Sequence, residues 1–198
     1  MAEAAPRRVH LCIDVQTMFA TDTEWHAPWL DRTLPAIEAL VERDPARTVF
    51  TRFIPARRPE EAIGAWQDYY RRWPSMTGEK LSPEMIDLVP SLKRYLPPAH
   101  VLDKSVYSPW LGTPLHAALQ KRGVDTLIIS GGETDVCVMA AIIGAIDLGY
   151  RIILPSDAVF GSADETHDAA LTLFHSRFGQ QLTTCSTSEL LDNWKEFS

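Results

Sequence analysis

Three reactive residue types stand where a fold can bring them together. Cys137 lies in Ser130-Gly131-Gly132-Glu133-Thr134-Asp135-Val136-Cys137-Val138. An apolar run over 124–129 precedes this stretch and reads as a buried strand, and the run over 136–146 is long enough for a helix. Two glycines mark a tight exit from the strand. With Glu133 or Thr134 opening the helix, Cys137 falls in its first turn, where unpaired N–H groups and the positive end of the dipole gather. That setting lowers a thiol pKa and favours the nucleophilic thiolate. The competing reading is a small buried apolar cysteine, a common core residue.

Asp14 closes the apolar run Val9-His10-Leu11-Cys12-Ile13, and Lys104 closes Val101-Leu102-Asp103. A thiolate attacks a carbonyl carbon. A carboxylate beside it takes the thiol proton and returns it to a leaving amine. A lysine cation next to both holds the carboxylate charged and favours the thiolate. The backbone N–H groups of Glu133 and Cys137 are the expected donors to the tetrahedral oxyanion. Taken singly, Asp14 and Lys104 read as an ordinary buried ion pair. Three reactive types at three strand ends are harder to assign to packing.

The elements that must hold these residues alternate along the chain. Strands are expected over 9–15, 48–54, 101–104, 124–129, 151–154 and 181–185. Leu34, Ile37, Leu40 and Val41 recur at helical spacing, so 30–43 reads as an amphipathic helix. Thr113-Pro114 opens a helix that ends at Gly123, with Thr as N-cap and Pro at the first position. The Cys137 helix stops at Gly149; further helices are expected over 164–178, with Ser162 as its cap, and 188–194. The alternation predicts a three-layer α/β/α, Rossmann-like, doubly wound sheet of six mainly parallel strands. Ligands in such folds bind beyond the carboxyl ends of the strands, where strand order reverses. Asp14, Lys104 and Cys137 all lie at or just past those ends.

The least regular part is 55–98. It contains an aromatic helical face, Trp66, Tyr69, Tyr70 and Trp73, followed by a proline-rich stretch. It reads as an excursion that covers a site or as a surface-packed insert.

Bulk properties exclude several classes. The chain has 198 residues, which predicts one domain over 1–198. A net charge of −7 argues against a nucleic-acid partner. The longest apolar run is too short to span a bilayer and no signal-peptide pattern opens the chain, so a cytosolic protein is expected. Cys12, Cys137 and Cys185 form neither a disulfide framework nor a CxxC motif.

The sequence resembles the isochorismatase-like cysteine hydrolases, a family of nicotinamidases, N-carbamoylsarcosine amidases, ureidoacrylate and biuret-type amidohydrolases, and isochorismatases. Ile13-Asp14-Val15-Gln16 with Phe19 is similar to the family's opening motif. Lys104 with Tyr107-Ser108 and Gly112-Thr113 is similar to its lysine motif, and 131–138 to its cysteine motif. Asp157-Ala158 matches the segment after the fifth strand. The resemblance implies a six-stranded parallel sheet, an Asp14–Lys104–Cys137 triad, and a cis peptide at Gly132–Glu133 that aims both oxyanion donors. It further implies a dimer or tetramer acting on a small molecule.

Departures narrow the expected activity. Nicotinamidases carry an Asp-x-His motif and a further metal-binding His after the second strand, but no histidine lies between His26 and His100 here. No metal or other cofactor is therefore expected. Thr17 stands where Asn is usual. Cys137 favours an amide, ureido or carbamoyl substrate over the vinyl ether of true isochorismatases; ether cleavage and a non-catalytic binding role are the alternatives. Gln16, Phe19, Tyr107, Trp110 and Phe160 are the expected substrate contacts. Trp66 and Tyr70 are further wall candidates or plain packing, and Arg52 meets a substrate carboxylate or is a surface residue. His167 and His175 are placed on an outer helix face and read as non-catalytic.

Overall fold

The computed structural model describes residues 7–195. The first half of the chain forms β1 (Arg8–Ile13), α1 (Thr17–Ala20), α2 (Leu30–Arg43), β2 (Thr48–Phe53), α3 (Trp66–Arg72), α4 (Pro83–Ile86), α5 (Pro90–Lys93) and β3 (His100–Lys104). The second half forms α6 (Leu115–Lys121), β4 (Thr126–Gly132), α7 (Met139–Asp147), β5 (Arg151–Pro155), β6 (Val159–Phe160), α8 (Asp164–Arg177), β7 (Leu182–Cys185) and α9 (Thr187–Asp192). Among the described residues, no helix is long and apolar enough to cross a membrane.

Side chains alternate across each inner strand, so one sheet feeds two cores. On one face Cys12, Phe50, Ile128 and Ile153 pack with Ile37, Leu40 and Val41 of α2 and Leu190 of α9. On the other, Leu11, Ile13, Leu127 and Ile129 meet Leu119 of α6, Ile142 of α7 and Phe174 of α8. The strand order is β3-β2-β1-β4-β5-β7, and every pairing is parallel. The order reverses between β1 and β4, and this is where a doubly wound sheet leaves a crevice beyond its carboxyl ends.

The sheet has seven strands rather than the expected six. β4 runs through both glycines to Gly132, while its pairing with β5 stops at Ile128. The free edge at Gly131 and Gly132 is taken by β6, a two-residue strand too short to show periodicity. The helix expected to start at Pro114 starts at Leu115, with Pro114 as its cap residue.

Gly131 explains why β1 and β4 can meet so closely at the site. Its φ is +97°, and a Cβ there would lie 2.0 Å from the Ile13 carbonyl oxygen. Both the left-handed backbone and the contact require glycine. Gly131→Ala should lower stability by at least about 3 kcal/mol. Urea unfolding measures this, and an unchanged midpoint would contradict the register.

His10 is a buried titratable group within the sheet. Its Nε2 lies 2.7 Å from Ser130 Oγ and its Nδ1 3.5 Å from Thr48 Oγ1. Burial pushes its pKa down from 6.5 to about 3. The unfolded chain therefore takes this proton first as pH falls. The stability linked to His10 is full above 6.5 and is lost from there towards 3, by about 1.4 kcal/mol per pH unit. Urea midpoints between pH 6.5 and 5 should show that slope in the wild type and a flatter one in His10→Gln. Equal slopes would refute the assignment.

Candidate functional site

Asp14 follows the last residue of β1 and takes φ 50°. That left-handed conformation is sparse for side-chain-bearing residues and is tolerated best by Asn and Asp. Thr51 of β2 fixes the carboxylate. Its hydroxyl donates to Asp14 Oδ1 at 2.5 Å and accepts the Asp14 N–H at 3.1 Å.

Lys104 ends β3 and reaches across β2 to the same point. Its Nζ donates to Asp14 Oδ2 at 2.6 Å, to the Val106 carbonyl at 3.1 Å and to Cys137 Sγ at 3.6 Å. An ammonium has three N–H donors, so all are placed. The Lys104 and Asp14 side chains are 0% and 1% exposed. Burial works against the Lys104 cation, the Asp14 carboxylate favours it, and its pKa ends above the usual value.

Cys137 sits in the turn Thr134–Val138, which winds with π-helical spacing between β4 and α7. The peptide Gly132–Glu133 is cis. Contrary to the expected depression by the helix terminus, the thiol pKa is pushed well up. Burial is the main cause, followed by the negative charge of the Asp14 carboxylate; Lys104 offsets only part. The thiol therefore rests protonated, with its acceptor beside it.

Over the thiol lies a cavity of about 310 Å³. Six rings line it: Phe19, Trp25, Phe53, Tyr69, Trp73 and Tyr107. Glu24, His26, Glu133, Val136 and Ser162 complete the wall, with Cys137 exposed to its interior. Burial raises the Glu133 carboxyl pKa, offset in part by a hydrogen bond from Ser162. Among the described residues, no group of three or more His, Cys, Asp or Glu side chains is arranged to hold a metal ion.

Phe19, Tyr107, Glu133 and Cys137 thus share the cavity, with Asp14 and Lys104 behind the thiol. Three expected substrate contacts lie elsewhere. Gln16 is fully buried and clamps backbone: its Oε1 accepts the Phe53 N–H at 2.7 Å, and its Nε2 donates to the Phe53 carbonyl at 3.0 Å and to that of Ile86. Trp110 donates to the Ala141 carbonyl at 2.9 Å and stacks on Tyr150, held against α7 where only glycine fits at position 144. Phe160 is fully buried behind Gly132, where a Cβ would lie 2.2 Å from its ring.

The other residues singled out in the sequence also lie outside this cavity, and of these only the burial of His167 differs from expectation. Arg52 forms two bonds to Asp103, at 2.8 and 3.0 Å, and one to Asp87 at 2.9 Å, all outside the cavity. Trp66 lies behind the wall against Tyr107, their centroids 4.7 Å apart. His175 is exposed, but His167 is buried. The Thr134 hydroxyl donates to the Phe160 carbonyl at 2.9 Å and lies 2.9 Å from His167 Nδ1. Having used its one proton, that hydroxyl accepts from His167, which fixes the Nδ1–H tautomer and anchors the start of the Cys137 turn.

Sequence reasoning missed Thr51, Trp25, Tyr69 and Trp73 as parts of the site. Thr51 did carry a signal, a polar residue inside the apolar run Val49–Phe53. Tyr69 and Trp73 belong to the aromatic face already noted within 55–98.

Comparison with known proteins agrees with this architecture. A family model described as isochorismatase domain matches residues 8–186. The uncharacterized isochorismatase family protein YwoC of Bacillus subtilis is 33% identical over 85 residues, 43% of this chain and 45% of that protein. Maleamate amidohydrolase of Pseudomonas putida is 31% identical over 83 residues, 42% of this chain and 39% of that protein. The match thus spans less than half the length of either relative. A solved isochorismatase family protein from Desulfovibrio vulgaris has the same fold, with a TM-score of 0.80 over 94% of this chain and 97% of that chain, at 19% identity. The family model runs from the start of β1 past the end of β7, and on that ground the chain belongs to the isochorismatase family.

Proposed function

We propose that this protein hydrolyses a C–N bond in a small amide, ureido or carbamoyl substrate through a thioacyl-enzyme. The observation that carries the reading is the buried Lys104 ammonium in contact with both Asp14 and Cys137, at the floor of an aromatic cavity. The amide class of the maleamate amidohydrolase relative supports it.

Because the thiol rests protonated, attack is coupled to transfer of its proton to Asp14. Sulfur forms a bond to the carbonyl carbon, and the oxyanion is met by the N–H groups of Glu133 and Cys137. The C–N bond breaks as Asp14 hands the proton to the leaving nitrogen. A water then attacks the thioester and gives its proton to Asp14. The C–S bond breaks, the acid leaves, and the thiol regains its proton. Throughout, Thr51 holds the carboxylate in place and Lys104 balances the negative charge.

The test is ammonia release from nicotinamide, simple aromatic amides and an aminomethyl-substituted benzamide, with maleamate and ureidoacrylate as carboxylate-bearing comparators and acid-quenched samples weighed by mass spectrometry. Release accompanied by an acyl adduct on Cys137 is the expected result. Release at the wild-type rate by Cys137→Ala would overturn the mechanism.

A further inference from the structure

Among the described residues, the cavity offers a substrate's negative charge no lysine or arginine; its one basic side chain is the imidazole of His26. Among its described lining residues the acidic side chains are Glu24 and Glu133, and none is lysine or arginine. Lys104 is sealed beneath the thiol with its donors taken by Asp14, Val106 and Cys137. Arg52 is held by Asp87 and Asp103.

Most of the rest of the wall is aromatic and braced, with His26, Val136, Cys137 and Ser162 between the rings. Trp25 is its hub, with ring centroids 6.3 Å from Phe19, 5.9 Å from Phe53 and 5.7 Å from Tyr69. Ring faces attract cations and carry no attraction for anions. Glu133 is partly buried; burial raises its carboxyl pKa and the Ser162 hydrogen bond offsets part of this, so a cation bound beside it favours the ionised form. Glu24 is exposed at the rim, where it accepts a hydrogen bond from the Ser75 hydroxyl. A carboxylate-bearing ligand would meet like charge, with neutral donors such as the Ser162 hydroxyl and no Lys or Arg side chain among the described lining residues to offset its lost hydration.

We propose that the cavity selects a substrate whose non-reacting end is a compact cation, an ammonium or amidinium group held among the rings and the Glu24 and Glu133 carboxylates while its carbonyl faces Cys137. This rests on the cavity being the substrate site. A neutral aromatic end would use the same rings but would gain nothing from the charge of the two carboxylates.

Three ligands of one ring and similar size separate these cases: benzylammonium, benzyl alcohol and benzoate. Each is titrated calorimetrically into the full-length wild-type protein. Benzylammonium should bind at least about tenfold more tightly than benzyl alcohol, with benzoate the weakest. Glu24→Gln and Glu133→Gln should each reduce the preference for benzylammonium over benzyl alcohol, and the double variant should remove it. Benzoate binding as tightly as benzylammonium would overturn the proposal. So would a lack of benzylammonium binding, or a preference that survives in the double variant. None of these readouts requires turnover, so they succeed or fail independently of ammonia release.

Discussion

Cys137→Ser is expected to retain less than about one part in 10⁴ of the wild-type kcat/KM. A serine hydroxyl in this position is a far weaker nucleophile, and Asp14 is too weak a base to activate it. The substitution removes little buried volume, and the new hydroxyl can accept from Lys104 as the sulfur does, so the thermal midpoint should stay within a few degrees of wild type. Asp14→Asn should be similarly inactive. Asparagine tolerates the left-handed φ of 50° at that position, so its loss of activity reports lost proton transfer rather than a broken turn. Steady-state ammonia release with circular dichroism on each variant measures both quantities. More than about one hundredth of wild-type turnover in Cys137→Ser would sink the thioacyl route.

Lys104→Met should carry the largest cost in stability. It leaves the Asp14 carboxylate, 1% exposed, without its cation, and breaking a buried pair in this way costs about 3–5 kcal/mol. Turnover should be lost as well. Combining it with Asp14→Asn removes the stranded charge, so the double variant should be more stable than Lys104→Met alone. A double variant as unstable as the single one would mean that Lys104 acts mainly through packing.

The pH dependence has a defined sign. Lys104 sits above its ordinary 10.5, burial opposing and the Asp14 carboxylate favouring its charge, so its contribution is full below 10.5 and is lost as pH rises through the higher folded value. Cys137, raised above 9.0 chiefly by burial, adds to the same trend, because the unfolded chain releases that thiol proton first. Denaturant unfolding from pH 8 to 11 should show stability falling above about 9, less steeply in Lys104→Met.

The sequence by itself determined the order of elements, and with it the strand ends that carry Asp14, Lys104 and Cys137. Apolar periodicity is a local record of which face of an element is buried, and parallel topology follows from alternation of strand and helix. The amphipathic helix over 30–43 and the parallel sheet needed no more than this. Side-chain partners are not local in that sense. Thr51 meets Asp14 because β2 lies beside β1 in one register. Gln16 turned from the cavity to the backbone of Phe53 and Ile86, segments distant in sequence that the fold brings beside it. Trp110 and Phe160 went to gaps opened by Gly144 and Gly132, which only three-dimensional packing creates. The thiol pKa reversed for the same reason: the helix terminus is visible in the sequence, whereas the burial and the carboxylate that outweigh it arrive with the tertiary fold.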